Sequence, residues 1–285
     1  MVLTQINIYP VKSLDGFSPE AAIVEQCGLQ YDRRWMIVGT DGGFFTQRFH
    51  HKMAQLKAQI LDNQLFIINK NNQKLISVGV DTYSEKTIEV QVWDDSLAAN
   101  FVSDDIDTWL SDFLETPCHL VRMPDDAARR VEEDHNTGHD IVSFADGYPY
   151  LIIGESSIND LNSRLADPMN ATDEALLGLR RFRANFIFSG GKPYEEESWN
   201  HFQIGNVDFR GMKPCGRCVM TTLDPDTGAS LGKEPLATLS TYRKVGRKIP
   251  FGQNVIWNNT TWRLKMQPNV RIGDKVLLKS MQDNG

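Results

Sequence analysis

Alternation of apolar and polar positions dominates the first hundred residues. Val2, Thr4, Ile6 and Ile8 recur with a period of two and predict a strand with one apolar face. Residues 33–38 predict a second strand, ended by the turn residues Gly39-Thr40-Asp41-Gly42-Gly43. Ile60-Leu61 and Leu65-Phe66-Ile67 flank Asp62-Asn63-Gln64, a hairpin signal, and residues 87–92 alternate without interruption. Strands this short and closely spaced predict a barrel or sandwich.

The spacing turns helical near Ser103, a candidate N-cap followed by Asp104 and Asp105. Ile106, Trp109, Leu110 and Phe113 then form one apolar stripe. A second helix is predicted over 156–165 on Ile158, Leu161 and Leu165, and a third over 235–242, with proline in its first turn. Residues 186–188, 202–209, 219–223, 254–257 and 276–278 read as strands, and 270–276 as a turn between two strands at a barrel seam. The expectation is a mainly β chain with a few helices. The polar stretch 123–140 is the expected domain boundary and a candidate mobile loop.

Composition narrows the class. With 41% apolar side chains over 285 residues, the chain can bury one large domain or two smaller ones. A net charge of −7 argues against a general nucleic-acid or anionic-membrane binder but leaves room for a local basic pocket. No apolar run approaches the ~18 residues of a spanning helix, and the alternating start does not resemble a signal peptide. A cytoplasmic protein is therefore expected. Its four cysteines then read as thiols, and the Asn170 and Asn259 triplets carry no glycosylation meaning.

Cys215-Gly216-Arg217-Cys218 admits four readings: half a zinc site, a redox pair, two buried thiols, or one thiolate bound to a metal. Cys27 and Cys118 offer no second pair, which weighs against zinc. A strand after Cys218 weighs against a thioredoxin-like pair, which precedes a helix. Arg217 and Lys213 would favour an ionised sulfur. Spacing alone does not choose between the last two readings.

Basic residues recur at predicted strand ends: Lys12 beside Ser13, Arg33 and Arg34, Arg180, Arg181 and Arg183, then Lys213 and Arg217. Together they could form a phosphate pocket. Asp224-Pro225-Asp226-Thr227-Gly228 imitates a calcium loop but lacks its glycine and glutamate, and reads as a β-turn. His135 and His139 read as loop residues.

Taken in order, the motifs resemble the MOSC family. Tyr9-Pro10-Val11-Lys12-Ser13 and Tyr31-Asp32-Arg33-Arg34-Trp35 look like the N-terminal β-barrel domain that precedes a MOSC domain. Residues 144–149 (Phe-Ala-Asp-Gly-Tyr-Pro), Arg183-Ala184-Asn185, Lys213-Pro214 with the cysteine run, 221–225 and Phe251-Gly252-Gln253-Asn254 look like the MOSC domain itself. The resemblance implies an N-terminal barrel domain over 1–122 and a MOSC domain over 123–285. It is similar to the mitochondrial amidoxime-reducing component and to bacterial counterparts that reduce N-hydroxylated bases.

That resemblance implies a molybdenum–molybdopterin cofactor with Cys218 as the catalytic metal ligand. It places the pterin and its phosphate against Lys12, Ser13, Arg33, Arg183, Asn185, Gly216 and Arg217, and further cofactor contacts at Gly147, Tyr148 and Asn254. Cys215 is expected to support the loop. A pyridoxal phosphate association is also attached to the family. The implied reaction takes oxygen from amidoximes or hydroxylaminopurines, leaving N–H and water. No cysteine follows Cys218 to ligate a ferredoxin cluster, so electrons are expected from a separate flavin, ferredoxin or haem protein. Asp146 and His135 are the candidate proton donors. The alternative is a carrier of the cofactor or of sulfur without turnover of its own.

Overall fold

The computed structural model describes residues 1–131, 140–165, 178–259 and 268–282. In chain order the strands are β1 (Val2–Ile6), β2 (Ala21–Glu25), β3 (Gly28–Leu29), β4 (Trp35–Gly39), β5 (Leu56–Leu61), β6 (Gln64–Asn69), β7 (Leu75–Gly79), β8 (Thr87–Val92) and β9 (Asp95–Phe101). Helix α1 (Asp104–Leu114) and β10 (Cys118–Arg122) follow, then β11 (Tyr150–Gly154), α2 (Glu155–Arg164), β12 (Phe186–Ser189), β13 (Trp199–Ile204) and β14 (Val207–Gly216). Helix α3 (Leu236–Tyr242), β15 (Pro250–Trp257), β16 (Asn269–Arg271) and β17 (Val276–Met281) complete the order. The mainly β expectation holds. Among the described residues no helix is long and apolar enough to cross a membrane.

The largest sheet has seven strands in the order β1-β12-β11-β15-β14-β13-β17. It curls until its outer strands touch: the Leu3 N–H donates to Asp274 O at 2.9 Å and that of Val276 to Met1 O at 3.0 Å. The turn at 270–276 is thus a seam, although it joins two sheets, since β16 pairs with β2 while β17 pairs with β13. Inside the curl Tyr150, Phe186, Phe209 and Phe202 pack as aromatic pairs with ring centroids 5.4–5.6 Å apart. The opposite face of the sheet is buried too. Leu151, Ile153 and Ile187 alternate with the interior residues and pack on Ile158 and Leu161 of α2 and Leu239 of α3. This double burial explains the unbroken apolar run of β11.

The first segment is built on β4. Trp35 and Ile37 face a core shared with Leu56, Leu65, Ile106 and Leu110, while Met36 and Val38 face Val90, Val92, Val121 and Phe144. Strand β1 pairs with β12 and β2 with β16, so the chain's beginning is woven into the sheets of its second half. That weaving brings the loops after β1 and β3 beside the end of β14.

Three local readings are corrected. Val2 and Thr4 do not share a buried face with Ile6; a register shift between Leu3 and Gln5 turns Leu3 inward and leaves Val2 exposed. Residues 202–209 are not one strand but the hairpin of β13 and β14, turned at Gly205 with φ 59°. Residues Val219–Thr222 form a 3₁₀ turn rather than a strand. The hydroxyls of Thr221 and Thr222 donate to the carbonyls of Cys218 and Val219 at 3.0 and 2.8 Å, a local alternative that β-branched Thr shares with Ser.

The N-terminus of α2 is seated on a carboxyl group. Glu196 is fully buried and accepts from the Gly154 amide at 3.1 Å and the Ser157 hydroxyl at 2.9 Å. Burial pushes its pKa up to about 7, against the opposing pull of those hydrogen bonds. An unfolded glutamate titrates near ~4.3, so between these values the native state binds more protons. The group's contribution to stability therefore falls as pH rises through that window. Glu196→Gln should match the wild type at acidic pH and exceed it above neutrality, by on the order of 1–3 kcal/mol. Melting temperatures measured across that range check it, and a parallel pH dependence in both proteins would refute the assignment.

Candidate functional site

Lys12, Ser13, Arg33, Gly147, Tyr148, Arg183, Asn185, Gly216, Arg217, Cys218 and Asn254 all line one cavity. It lies between the loops of the first segment and the ends of β14 and β15. Three of these residues have left-handed backbone: Ser13 (φ 68°), Arg33 (φ 51°) and Arg183 (φ 52°). Such conformations cost of order 1 kcal/mol or more each in residues with a Cβ, and they cluster where surrounding structure enforces a functional geometry. Backbone hydrogen bonds hold Arg33 itself and the residue before Ser13. The Arg33 amide donates to Tyr9 O and the Lys12 amide to Trp35 O, both at 2.8 Å.

Two guanidinium groups share one aromatic ring. Arg33 and Arg183 lie 4.5 and 4.2 Å from the centroid of Tyr9. Arg33 is also paired with Asp32 and donates to Arg183 O at 3.1 Å, and Arg183 donates to Leu14 O at 2.7 Å. Burial, and then the neighbouring Arg33, lower the pKa of Arg183. Two like charges held this close favour an anion between or above them. Asn185 is wholly buried; it donates to Asn7 O and accepts from the Leu151 amide, so it braces three strands beneath the cavity.

The cysteines differ. Cys218 is exposed, at the start of the 3₁₀ turn, whereas Cys215 packs against the cluster of Phe182, Leu239 and Phe251, where burial pushes its thiol pKa up. All four cysteines are free, and among the described residues no three His, Cys, Asp or Glu side chains are grouped as a metal cluster. Among the described residues the zinc reading finds no further ligands. The strand argument against a redox pair falls with the strand, leaving the unequal burial of the two sulfurs as what separates their roles.

The cation that reaches Cys218 is neither Arg217 nor Lys213. Arg217 turns back to donate to Phe251 O at 2.9 Å and Phe182 O at 3.1 Å, and Lys213 lies over the Tyr148 ring at 5.3 Å. Instead Arg48 donates to the Cys218 sulfur at 3.1 Å, its guanidinium lying 4.8 Å from the Trp93 ring. Trp93 in turn donates to Asp146 at 3.1 Å, and Asp146 holds Lys12 at 2.7 Å. Arg48, Trp93, Phe44 and Thr46 were not legible as site residues, because nothing in their local spacing marks them. The grouped basic residues also divide. Arg181 joins the lining, while Arg34 turns to Cys27 and Asp125, and Arg180 to Asp15 and Asp226.

Asp146 is a poor proton donor. Crowding would raise its pKa, but Lys12, the Trp93 N–H and Arg48 hold it well below the usual carboxylate range. Its place is structural: it fixes the Lys12 ammonium, whose own pKa burial lowers, and which also donates to Phe144 O at 2.7 Å. His135 and His139 lie outside the described residues, as does Asn170. The 224–228 segment is the expected turn, with Asp224 accepting from the amides of Asp226 and Thr227.

The lining therefore carries six cations, Lys12, Arg33, Arg48, Arg181, Arg183 and Arg217, against one carboxylate, Asp146, in a chain of net charge −7. The Nη2 of Arg217 is buried without a hydrogen-bond partner, a donor that an incoming anion would satisfy. An oxyanion and one soft metal ion beside it fit this donor set.

Fold and cavity together define a β-barrel protein with a cation-lined site that presents a single exposed thiol. Residues 1–117 match the MOSC N-terminal beta barrel domain and residues 139–277 the MOSC domain, and the chain belongs to this family. It is 31% identical over 287 residues to mitochondrial amidoxime-reducing component 1 of Mus musculus, covering 97% of this chain and 82% of that protein. It is also 30% identical over 289 residues to the molybdenum cofactor sulfurase of Solanum lycopersicum, covering 96% of this chain and 35% of that protein. With the Oryza sativa sulfurase the identity is 33% over 88% of this chain and 32% of that protein. The chain thus spans about a third of the length of the sulfurases it matches.

Proposed function

We propose that this protein binds a molybdenum–pterin cofactor through Cys218 and works as an oxidoreductase that reduces N-hydroxylated compounds such as amidoximes and hydroxylaminopurines. The observation that carries the reading is the exposed Cys218 sulfur at a cavity with six cations and one carboxylate. The names of the amidoxime-reducing relatives, matched over most of their length, support the reaction class. Electrons come from a separate carrier protein.

In this reading Cys218 supplies a thiolate to the metal. Arg33, Arg183, Lys12 and Arg217 neutralise and orient the phosphate, with Ser13 and the Gly216 backbone against the pterin. Gly147, Tyr148 and Asn254 complete the contacts, and Asn185 holds the floor. When bound, the group supplies a two-electron centre able to accept an oxygen atom. The net change is R–N–OH plus two electrons and two protons to R–N–H plus water: the N–O bond breaks and an N–H bond forms. Arg48 keeps its hydrogen bond to the sulfur, and Phe44 and Trp93 wall the opening. Asp146 stays ionised and holds Lys12, so the protons come from elsewhere.

The exposed, hydrogen-bonded Cys218 also suits a sulfur or cofactor carrier, the reading that the sulfurase relatives favour. One experiment separates the two. Protein made in a cofactor-synthesising host is assayed for bound molybdenum and for benzamidoxime reduction with a reduced viologen. The oxidoreductase reading expects both. Bound cofactor or persulfide without turnover would replace it with the carrier reading.

A further inference from the structure

Beyond α3 the chain makes a tight basic turn. Val245 and Lys248 exchange backbone hydrogen bonds at 2.9 and 3.0 Å, and Gly246 turns the corner with φ 57°. Arg243 is neutralised by Glu197 and stacks on Tyr194. Lys244, Arg247 and Lys248 are exposed, and each lacks an ion pair among the described residues. The turn sits beside the mouth of the cavity: the Arg217 amide donates to Ile249 O at 2.8 Å, and the Lys248 stem lies 3.8–3.9 Å from where a Cβ on Gly216 would be.

Apolar tips stand exposed in the turn itself and next to two lining residues, Arg48 and Cys218. Phe49, next to Arg48, is 81% exposed and Val245 is 71% exposed, the highest values among large apolar side chains of the described residues. Val219, adjacent to Cys218, is 51% exposed. Exposed cations and isolated apolar tips beside such an opening are the composition of a small, transient, electrostatically steered interface. A membrane surface would call for a larger basic cluster, about 4–8 residues.

We infer that the 243–248 turn and Phe49 form the docking surface for an acidic electron-carrier protein. The inference rests on the oxidoreductase reading above. Two one-electron deliveries oxidise two equivalents of carrier and supply the pair consumed when the substrate's N–O bond is cleaved. The contact brings the carrier beside Cys218 without covering the basic lining.

The test compares donors. Benzamidoxime reduction is driven either by reduced viologen or by a strongly acidic plant-type ferredoxin kept reduced by NADPH and its reductase. Lys244→Glu/Arg247→Glu avoids Lys248, whose stem packs on Gly216, and Val245→Asp probes the apolar tip. Viologen-driven rates should stay at wild-type values, while ferredoxin-driven kcat/KM falls about tenfold or more. Added salt should slow the wild type with ferredoxin and barely affect the double variant. Ferredoxin-driven kcat/KM within about twofold of wild type in both variants overturns the docking surface and leaves the function reading standing. If wild type fails even with viologen, the function reading fails. Calorimetric binding of ferredoxin at low salt, present in wild type and lost in the double variant, then still supports the surface. Binding by wild type to phosphatidylserine vesicles or an oligonucleotide, but not to ferredoxin, overturns it.

Discussion

Cys218→Ser is expected to lower viologen-driven benzamidoxime reduction by more than about a hundredfold, since loss of a supporting residue around a metal ligand alone costs 10–100-fold. The side chain is exposed, so the substitution should change folding stability by no more than about 0.5 kcal/mol. Cys215→Ser should do the reverse. It places a hydroxyl among Phe182, Leu239 and Phe251, at a cost of about 1–3 kcal/mol, and leaves turnover close to wild type. Steady-state rates and thermal melts on both variants check the pair. Equal loss of turnover in the two would return the cysteine run to a redox-pair reading.

How the sequence foretells this site is uneven. Strands came through where alternation was clean, as in β8, and where a turn signal was explicit, as at Asp62 and Asn63, both in left-handed conformation between β5 and β6. The Gly205-Asn206 turn is equally explicit, yet the alternation of Phe202, Ile204, Val207 and Phe209 on its two sides reads as one continuous strand and hides it. Val219 to Leu223 misleads for a different reason: β-branching favours a strand, but threonine hydroxyls close a local turn. At the site, motif order gathers residues that topology then places in one cavity. Arg48 escapes because its partner Cys218 is 170 positions away. Arg33 and Arg34 are alike in sequence, but the backbone at Arg33 turns one guanidinium to Tyr9 and sends the other to Asp125.

The second large effect concerns the floor beneath Arg217. Phe251 is fully buried and stacks on Phe182 with centroids 4.4 Å apart, and the carbonyls of both residues receive the Arg217 guanidinium. Phe251→Ala should destabilise the fold by about 3–5 kcal/mol, from lost transfer energy and the cavity left behind. That corresponds to a melting temperature lower by roughly 10 °C. Phe251→Leu refills most of the volume and should lose far less. Because relaxation around the cavity shifts the seat of Arg217, Phe251→Ala should also retain less pterin after gel filtration, measured by fluorescence of the oxidised pterin. A melt unchanged from wild type would contradict the packing argument.

The central claim is that the Cys218 thiolate binds molybdenum in a cavity built for an anion. X-ray absorption at the molybdenum edge on purified, loaded protein tests it most directly. The account predicts that sulfur scatterers from the pterin dithiolene are joined by one more in the wild type and in Cys215→Ser, and that the additional sulfur disappears in Cys218→Ser. An identical sulfur shell in wild type and Cys218→Ser, or no molybdenum in the wild type, would contradict it.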